Sequence, residues 1–168
     1  MGETKALTGA EAAKEIVRIA KGETAMLCTF VADGELHTRP MSTAGVDEDG
    51  TVWFMSSRGS AKNGEIAANA RGQLIYAVTS KSEYLSLAGM FTIERDQAKI
   101  DELWTPIAKA WFTEGKTDPD ITLLRFVPRE GYYWDTKTNR VVQMAKIVVG
   151  AIVGKPFDDG VEGPLKAI

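Results

Sequence analysis

Apolar residues change their spacing repeatedly along this chain, and each change marks a different kind of element. Ala12, Ile16, Ile19 and Ala20 recur at three- and four-residue intervals behind Thr8 and Glu11, which match a capping box, so the opening pattern predicts a helix ending near Gly22. Residues 25–32 and 35–44 then read as strands on either side of Asp33-Gly34, the signature of a two-residue type I′ hairpin. A third strand over 51–56 follows the acidic turn 47–50 and leads into a short helix over 60–69. Residues 73–80 and 83–94, rich in β-branched and aromatic side chains, predict two more strands bent at Lys81-Ser82. Five such strands form a meander of the kind that closes into a small barrel.

From Asp96 the period lengthens again. Ile100, Leu103, Trp104, Ile107 and Trp111 lie three or four apart on one helical face, with Pro106 suited to a first helical position behind a capping Thr105. On that stripe Trp104 and Trp111 are expected in the core. Residues 115–120 read as loop, 121–127 as a sixth strand, and 131–135 as a segment that extends the sheet or crosses its edge. Over 138–153 the β-branched content favours a strand, whereas the spacing of Val141, Ala145, Val148, Val149 and Ile152 favours the helix adopted here. The expected organisation is a single domain over 1–154 and a loosely organised tail over 155–168.

Composition narrows the function classes. A chain of 168 residues buries a core without metal or disulfide staples. Its net charge of −3 supplies no electrostatic reason to expect nucleic-acid binding, and its longest apolar run, residues 147–153, is far short of the roughly 20 residues a bilayer requires. The single cysteine, Cys28, cannot form an internal disulfide, and no signal segment opens the sequence, so the expected setting is soluble and cytoplasmic. Cys28 lies in an apolar run and reads as a buried, inert thiol.

The chemistry concentrates between Thr38 and Lys62. Arg39 and Lys62 flank a hydroxyl cluster where a strand passes into a helix that opens at Ser60, and a helix N-terminus adds unpaired N–H groups and partial positive charge. The combination describes a phosphate-sized anion site. Pro40 holds Arg39 in extended geometry and removes a ladder donor, which suits a strand edge. The plainer readings stand beside this one: a surface ion pair for Arg39, an ordinary capped helix start for Ser60 and Lys62. Residues 150–155 imitate a phosphate loop but have three residues between the glycines rather than four, and Pro156 replaces the metal-binding hydroxyl. His37, the single histidine, excludes multi-histidine metal sites and reads as structural or surface.

Further along, Tyr84-Leu85-Ser86-Leu87-Ala88-Gly89, Asp96, Leu103-Trp104-Thr105-Pro106, Ala110-Trp111-Phe112, Gly115, Asp118-Pro119-Asp120, Leu123-Leu124 and Tyr133-Trp134-Asp135 follow in a distinctive order and spacing. With them the chain, over roughly residues 12–144, resembles the general stress protein 26-like branch of the pyridoxamine 5′-phosphate oxidase-like flavoproteins. The resemblance implies a mainly β fold with flanking helices: an FMN-binding split β-barrel of six or more antiparallel strands, acting as a homodimer with its cofactor at the subunit interface. It assigns Arg39 to the FMN phosphate and runs Pro40, Met41 and Ser42 along the isoalloxazine edge. Met55 and Ser56 fall beneath the ring and ribityl chain. Ser60, Ala61 and Lys62 take the places of Ser-Arg-Lys, Tyr84 that of a cofactor-contacting glutamine, and Trp134 that of a tryptophan reaching flavin across the dimer.

The departures are equally informative. Ala44 and Ala61 stand where the oxidase carries cations, and nothing after Trp134 matches its substrate-gripping Arg-Leu-His-Asp-Arg segment, so pyridoxamine phosphate oxidase activity is not expected. The function implied is flavin-dependent redox chemistry on an unidentified small molecule, with no catalytic side chain identified. The alternative is a flavin carrier, buffer or stress sensor without turnover. FMN is the expected cofactor and FAD its alternative; haem and deazaflavin are minor ones, and no metal site is expected.

Overall fold

The computed structural model of the chain describes residues 3–31, 33–136 and 160–166, within which one ten-stranded sheet carries three α-helices. Two short strands, β1 (Glu3–Thr4) and β2 (Leu7–Thr8), precede helix α1 (Ala10–Ala20). Strands β3 (Thr24–Phe30) and β4 (Leu36–Ser42) form a hairpin, followed by β5 (Gly45–Val46), β6 (Val52–Ser57) and helix α2 (Ala61–Ala68). Then come β7 (Arg71–Val78), β8 (Glu83–Glu94), helix α3 (Gln97–Leu103), the long β9 (Ile121–Thr136) and β10 (Gly160–Lys166).

The sheet is not a barrel. Its order runs β1-β10-β9-β8-β7-β3-β4 and ends at β4, with β6 attached to β9 and β5 to β6. Among the described residues no ladder returns from β4 to β6. The reason lies where the chain leaves β4: up to Ser42 its ladder partner is β3, whereas the next strand, the two-residue β5, pairs with β6, and Pro40 offers no N–H on β4 itself. The antiparallel expectation also fails at one edge, where β1 and β2 pair with β10 in parallel.

One face of the sheet holds the main core. Ile16 and Ile19 of α1, Leu27 of β3, Phe54 of β6, Leu74 and Tyr76 of β7, and Leu85 and Leu87 of β8 are essentially inaccessible, and Ile66 of α2 joins them. Each fully buried side chain of this size contributes roughly 1.5–3 kcal/mol of transfer free energy. A second cluster lies across the sheet under α3, where Ile100, Leu103 and Phe112 cover Trp53, Ile121 and Leu123. A Cβ on Gly45 would overlap the end of the Leu103 side chain, so a larger residue there requires Leu103 to shift within the cluster.

Several boundaries depart from the hydrophobic pattern. Helix α1 is preceded by Gly9 at φ +52°, a conformation suited to glycine, while Thr8 is spent in β2 and caps nothing. The β3–β4 ladder stops at Phe30 and Leu36, so the connection has five residues; Gly34 has positive φ but Asp33 does not, which rules out the two-residue type I′ turn. Helix α3 ends at Leu103, Trp104 is extended, and Pro106 begins a separate 3₁₀ turn, Pro106–Ala110, behind Thr105. That break rotates the apolar stripe away from the core: Ile107 and Trp111 are each 70% exposed.

The two segments read as separate strands over 121–127 and 131–135 are one strand, β9, in which Arg129 is an extra residue opposite the Ala88–Gly89 step of β8. Residues 160–166, in the stretch expected to be loose, pair along β9 as β10. The helix expected over 138–153 lies outside the described residues.

Candidate functional site

Strand parity sorts the predicted site residues. Arg39 pairs with the buried Leu27, so Arg39 and Met41 project to the core face, whereas Pro40 and Ser42 project to the opposite, exposed face. Met41 packs against the main core. On β6, Ser56 shares the face of Phe54, while Met55 packs with the cluster beneath α3. Helix α2 begins directly after β6 and lays Ile66 on the core, which brings its first turns against the core side of β3 and β4.

The strand-to-helix junction is built from hydroxyls and amides. The buried Ser56 hydroxyl donates to Asn63 Oδ1 at 2.7 Å and lies 3.1 Å from Ser60 Oγ, which also donates to Asn63 Oδ1 at 3.1 Å. Asn63 Nδ2 donates to Thr122 Oγ1 at 2.9 Å, and that hydroxyl donates to the Ser56 carbonyl at 2.8 Å. Ser60 occupies the N-cap position with extended geometry, yet its side chain makes no cap bond. Its hydroxyl serves Asn63, leaving the opening N–H groups of α2 without the usual side-chain acceptor.

The charged part of the site lies one turn along. Glu65 Oε2 accepts from Arg39 Nη2 at 2.7 Å and from Thr29 Oγ1 at 2.5 Å, and Glu65 Oε1 lies 2.8 Å from His37 Nδ1. Burial alone would raise the Glu65 carboxyl, but the hydrogen bonds from Thr29, His37 and Arg39 together outweigh it and hold the group at about 2. Lys62 is pushed below the ordinary lysine range, first by burial and then by the Arg39 charge, with Glu65 partly offsetting both. No carboxylate among the described residues forms an ion pair with Lys62. Arg39 Nη1 is buried and has no hydrogen-bond partner.

Arg39, Lys62, Ser56 and Ser60 are therefore gathered at the opening of α2. Ala61 is exposed beside them. Tyr84 and Trp134 are not: they pair across β8 and β9 on the opposite face, 41% and 40% exposed, with the Trp134 ring centroid 4.6 Å from that of Tyr132. Ser42 is on this second face too, but β3, β7 and β8 intervene between β4 and β9. Four residues of the site, Thr29, Asn63, Glu65 and Thr122, were missed in the sequence. Glu65, three after Lys62 and so on the same helical side, was the legible one; Asn63 and Thr122 carry no sequence signal. Cys28 is buried as expected, receiving a hydrogen bond from Thr38 Oγ1 at 3.2 Å.

This arrangement suits a small anion: two cations of which, among the described residues, only Arg39 pairs with a carboxylate, an orphaned guanidinium nitrogen and a helix start with free donors. Comparison with known proteins places the family. Residues 11–158 match the family model "Pyridoxamine 5'-phosphate oxidase like", and the chain belongs to that family, in its general stress protein 26-like branch. Among solved structures it is similar to a general stress protein 26 from Jannaschia sp. CCS1, with 25% identity, a TM-score of 0.78 and coverage of 91% of this chain and 97% of that one. It is also similar to the general stress FMN/FAD binding protein of Xanthomonas citri, with 28% identity, a TM-score of 0.64 and coverage of 76% and 90%. Protein bli-3 of Neurospora crassa is 24% identical over 132 residues, which cover 73% of this chain and only 63% of that protein's length.

Proposed function

We propose that this protein binds FMN, with the phosphate at the opening of α2 and the ring toward the exposed face of the sheet, and that it is a flavin-dependent oxidoreductase acting on a small molecule. The observation that carries the reading is the pairing of a desolvated Lys62 with an Arg39 whose Nη1 is buried and unbonded. Both defects are costly as they stand, and one phosphate would relieve both. Arg39 and Lys62 bind the anion, the hydroxyls of Ser56 and Ser60 orient it, and Met41 and Met55 supply apolar walls. Bound flavin would supply hydride or electron transfer at its N5 position.

The same reading requires a homodimer. Tyr84 and Trp134 lie on the face opposite Arg39, so within one chain they cannot reach a ligand held at α2; a second copy could present them. Met26 and Ile75, each 40% exposed on that face, extend an apolar surface with them, as a subunit interface requires. With Ala44 and Ala61 in place of cations, affinity should be modest, which gives specific support to a second reading: a flavin carrier that exchanges its ligand without turnover.

An absorbance spectrum of freshly purified protein tests the cofactor class, with the visible bands of an oxidised flavin expected. FMN titration of the wild type and Lys62→Ala tests the site; the variant should bind about tenfold more weakly, and an unchanged dissociation constant removes Lys62 from it. Parallel titration with FAD separates the two flavins. Oxidation of NADH or NADPH by the holoprotein separates the enzyme from the carrier, since flavin inert to both donors favours the carrier.

A further inference from the structure

Glu65 is absent from the flavin contacts that the family resemblance implies, yet it is the acidic side chain to which three groups of the site converge. Its carboxylate takes one hydroxyl, one imidazole nitrogen and one guanidinium nitrogen, drawn from β3 and from two positions of β4. Thr29 and His37 face each other across the β3–β4 ladder, and Thr29 is fully buried, so two of the three partners are fixed by the sheet itself. The carboxylate is thereby held on both oxygens. Among the described residues, the third partner, Arg39, keeps a nitrogen, Nη1, that is both buried and without a hydrogen-bond partner.

We infer that Glu65 is a positioning residue for the anion site: it clamps one edge of the Arg39 guanidinium so that the other edge stays available to a phosphate monoester. The inference rests on the phosphate-site reading above and deepens it. A guanidinium with one nitrogen fixed loses little further rotamer freedom when its other nitrogen binds a ligand, so the ordering cost is met in the folded protein rather than at binding. Glu65 also lets two cations share a half-buried pocket before the ligand arrives, since Arg39 and Lys62 repel each other and the carboxylate offsets that repulsion. Electrostatics alone predicts the opposite behaviour, because a negative charge beside a phosphate should weaken binding. The two accounts therefore differ in sign.

The test is a double-mutant cycle read by FMN and riboflavin titration with full-length protein. Glu65→Ala should weaken FMN binding about tenfold in the wild-type background, less than about twofold in an Arg39→Ala background, and not at all for riboflavin, which lacks the phosphate. Glu65→Gln, which keeps the shape and one acceptor, should recover part of the loss, and it carries the test if the alanine variant does not fold. Tighter FMN binding by Glu65→Ala, or an equal loss in both backgrounds, would overturn the inference. If the wild type binds no flavin, the flavin reading falls, and the clamp is then judged by NMR of the Arg39 guanidinium. Resolved, slowly exchanging Nη signals that collapse in Glu65→Gln support the clamp, and signals alike in both proteins overturn it.

Discussion

Arg18 and Arg39 both meet carboxylates, the first in an exposed setting and the second in a part-buried one, and of the two only Arg18 is saturated. Arg18 of α1 bonds Glu15 Oε1 at 2.6 Å, Glu83 Oε1 at 2.6 Å and Asp135 Oδ2 at 2.9 Å, tying the helix to β8 and β9. These carboxylates raise its pKa well above the ordinary arginine value. Arg39 meets one carboxylate, keeps a buried nitrogen unbonded and has a second cation nearby. An arginine surrounded by acids is a fastener, because nothing is left for a ligand to satisfy. An arginine left short of partners in a desolvated place holds free energy that a ligand can recover. The contrast teaches that unmet bonding, rather than charge itself, marks the functional site.

If that contrast is right, exchanging each arginine for alanine should have separable consequences. Arg39→Ala should weaken FMN by about a hundredfold, the loss of a charged bidentate-capable contact, with a smaller fall in melting temperature, because losing its bond to Glu65 is offset in part by relief of its repulsion of Lys62. Arg18→Ala should do the reverse. Breaking a fully buried pair costs about 3–5 kcal/mol, which the partial exposure of Arg18 reduces to roughly 2 kcal/mol, or some 5 °C by calorimetry, with the FMN dissociation constant unmoved. A loss of flavin affinity in Arg18→Ala equal to that in Arg39→Ala would erase the distinction.

The exposed face gives a smaller effect. Trp134→Ala should weaken FMN about fivefold, of the order of one aromatic contact, and shift the proposed dimer toward monomer in sedimentation. Retention of both properties would detach this face from the site. The smallest effect is a pH signature. Glu65 titrates at about 2 in the folded protein against an ordinary value of 4.5, so its folded-state pKa is depressed. The stability this contributes is fully present above about pH 4.5 and is lost as pH falls toward 2. The gap in melting temperature between wild type and Glu65→Gln should therefore close across that window, and a gap independent of pH would show that Glu65 is not ionised in its network.

How much of this was legible beforehand follows from which interactions are local. Helix α2, with Ser60 before it and Asn69 after it, and strand β8 over Glu83–Glu94 could be read directly, because N-cap preference and β-branched density act within a few residues. Pro106 was placed correctly at the start of a turn for the same reason. Trp111 was not: spacing put it on a buried stripe, but the break at Trp104 and Thr105 turned that stripe to solvent. Thr8 and Glu11 formed a plausible cap, yet pairing of Thr8 with β10, over a hundred and fifty residues away, took precedence.

At the site, Arg39 and Lys62 could be named because Pro40 and the helix start mark them. Their relation to Glu65, Thr29 and Asn63 was hidden, since it depends on α2 lying against β3 and β4. The barrel was the largest error. A meander of strands shows which segments pair in sequence order, but closure depends on whether the last edge meets the first, and a one-dimensional pattern contains no such contact.

The amino-acid order alone therefore determined the family, the alternation of strands and helices, and the identity of the two cations, all of which rest on local spacing and on motif order. Only the tertiary structure decided that the sheet stays open at β4, that Tyr84 and Trp134 face away from Arg39, and that Arg39 retains one unbonded nitrogen. The physical reason is that strand pairing and charge satisfaction are set by groups distant in the chain, whose meeting is specified by packing as a whole.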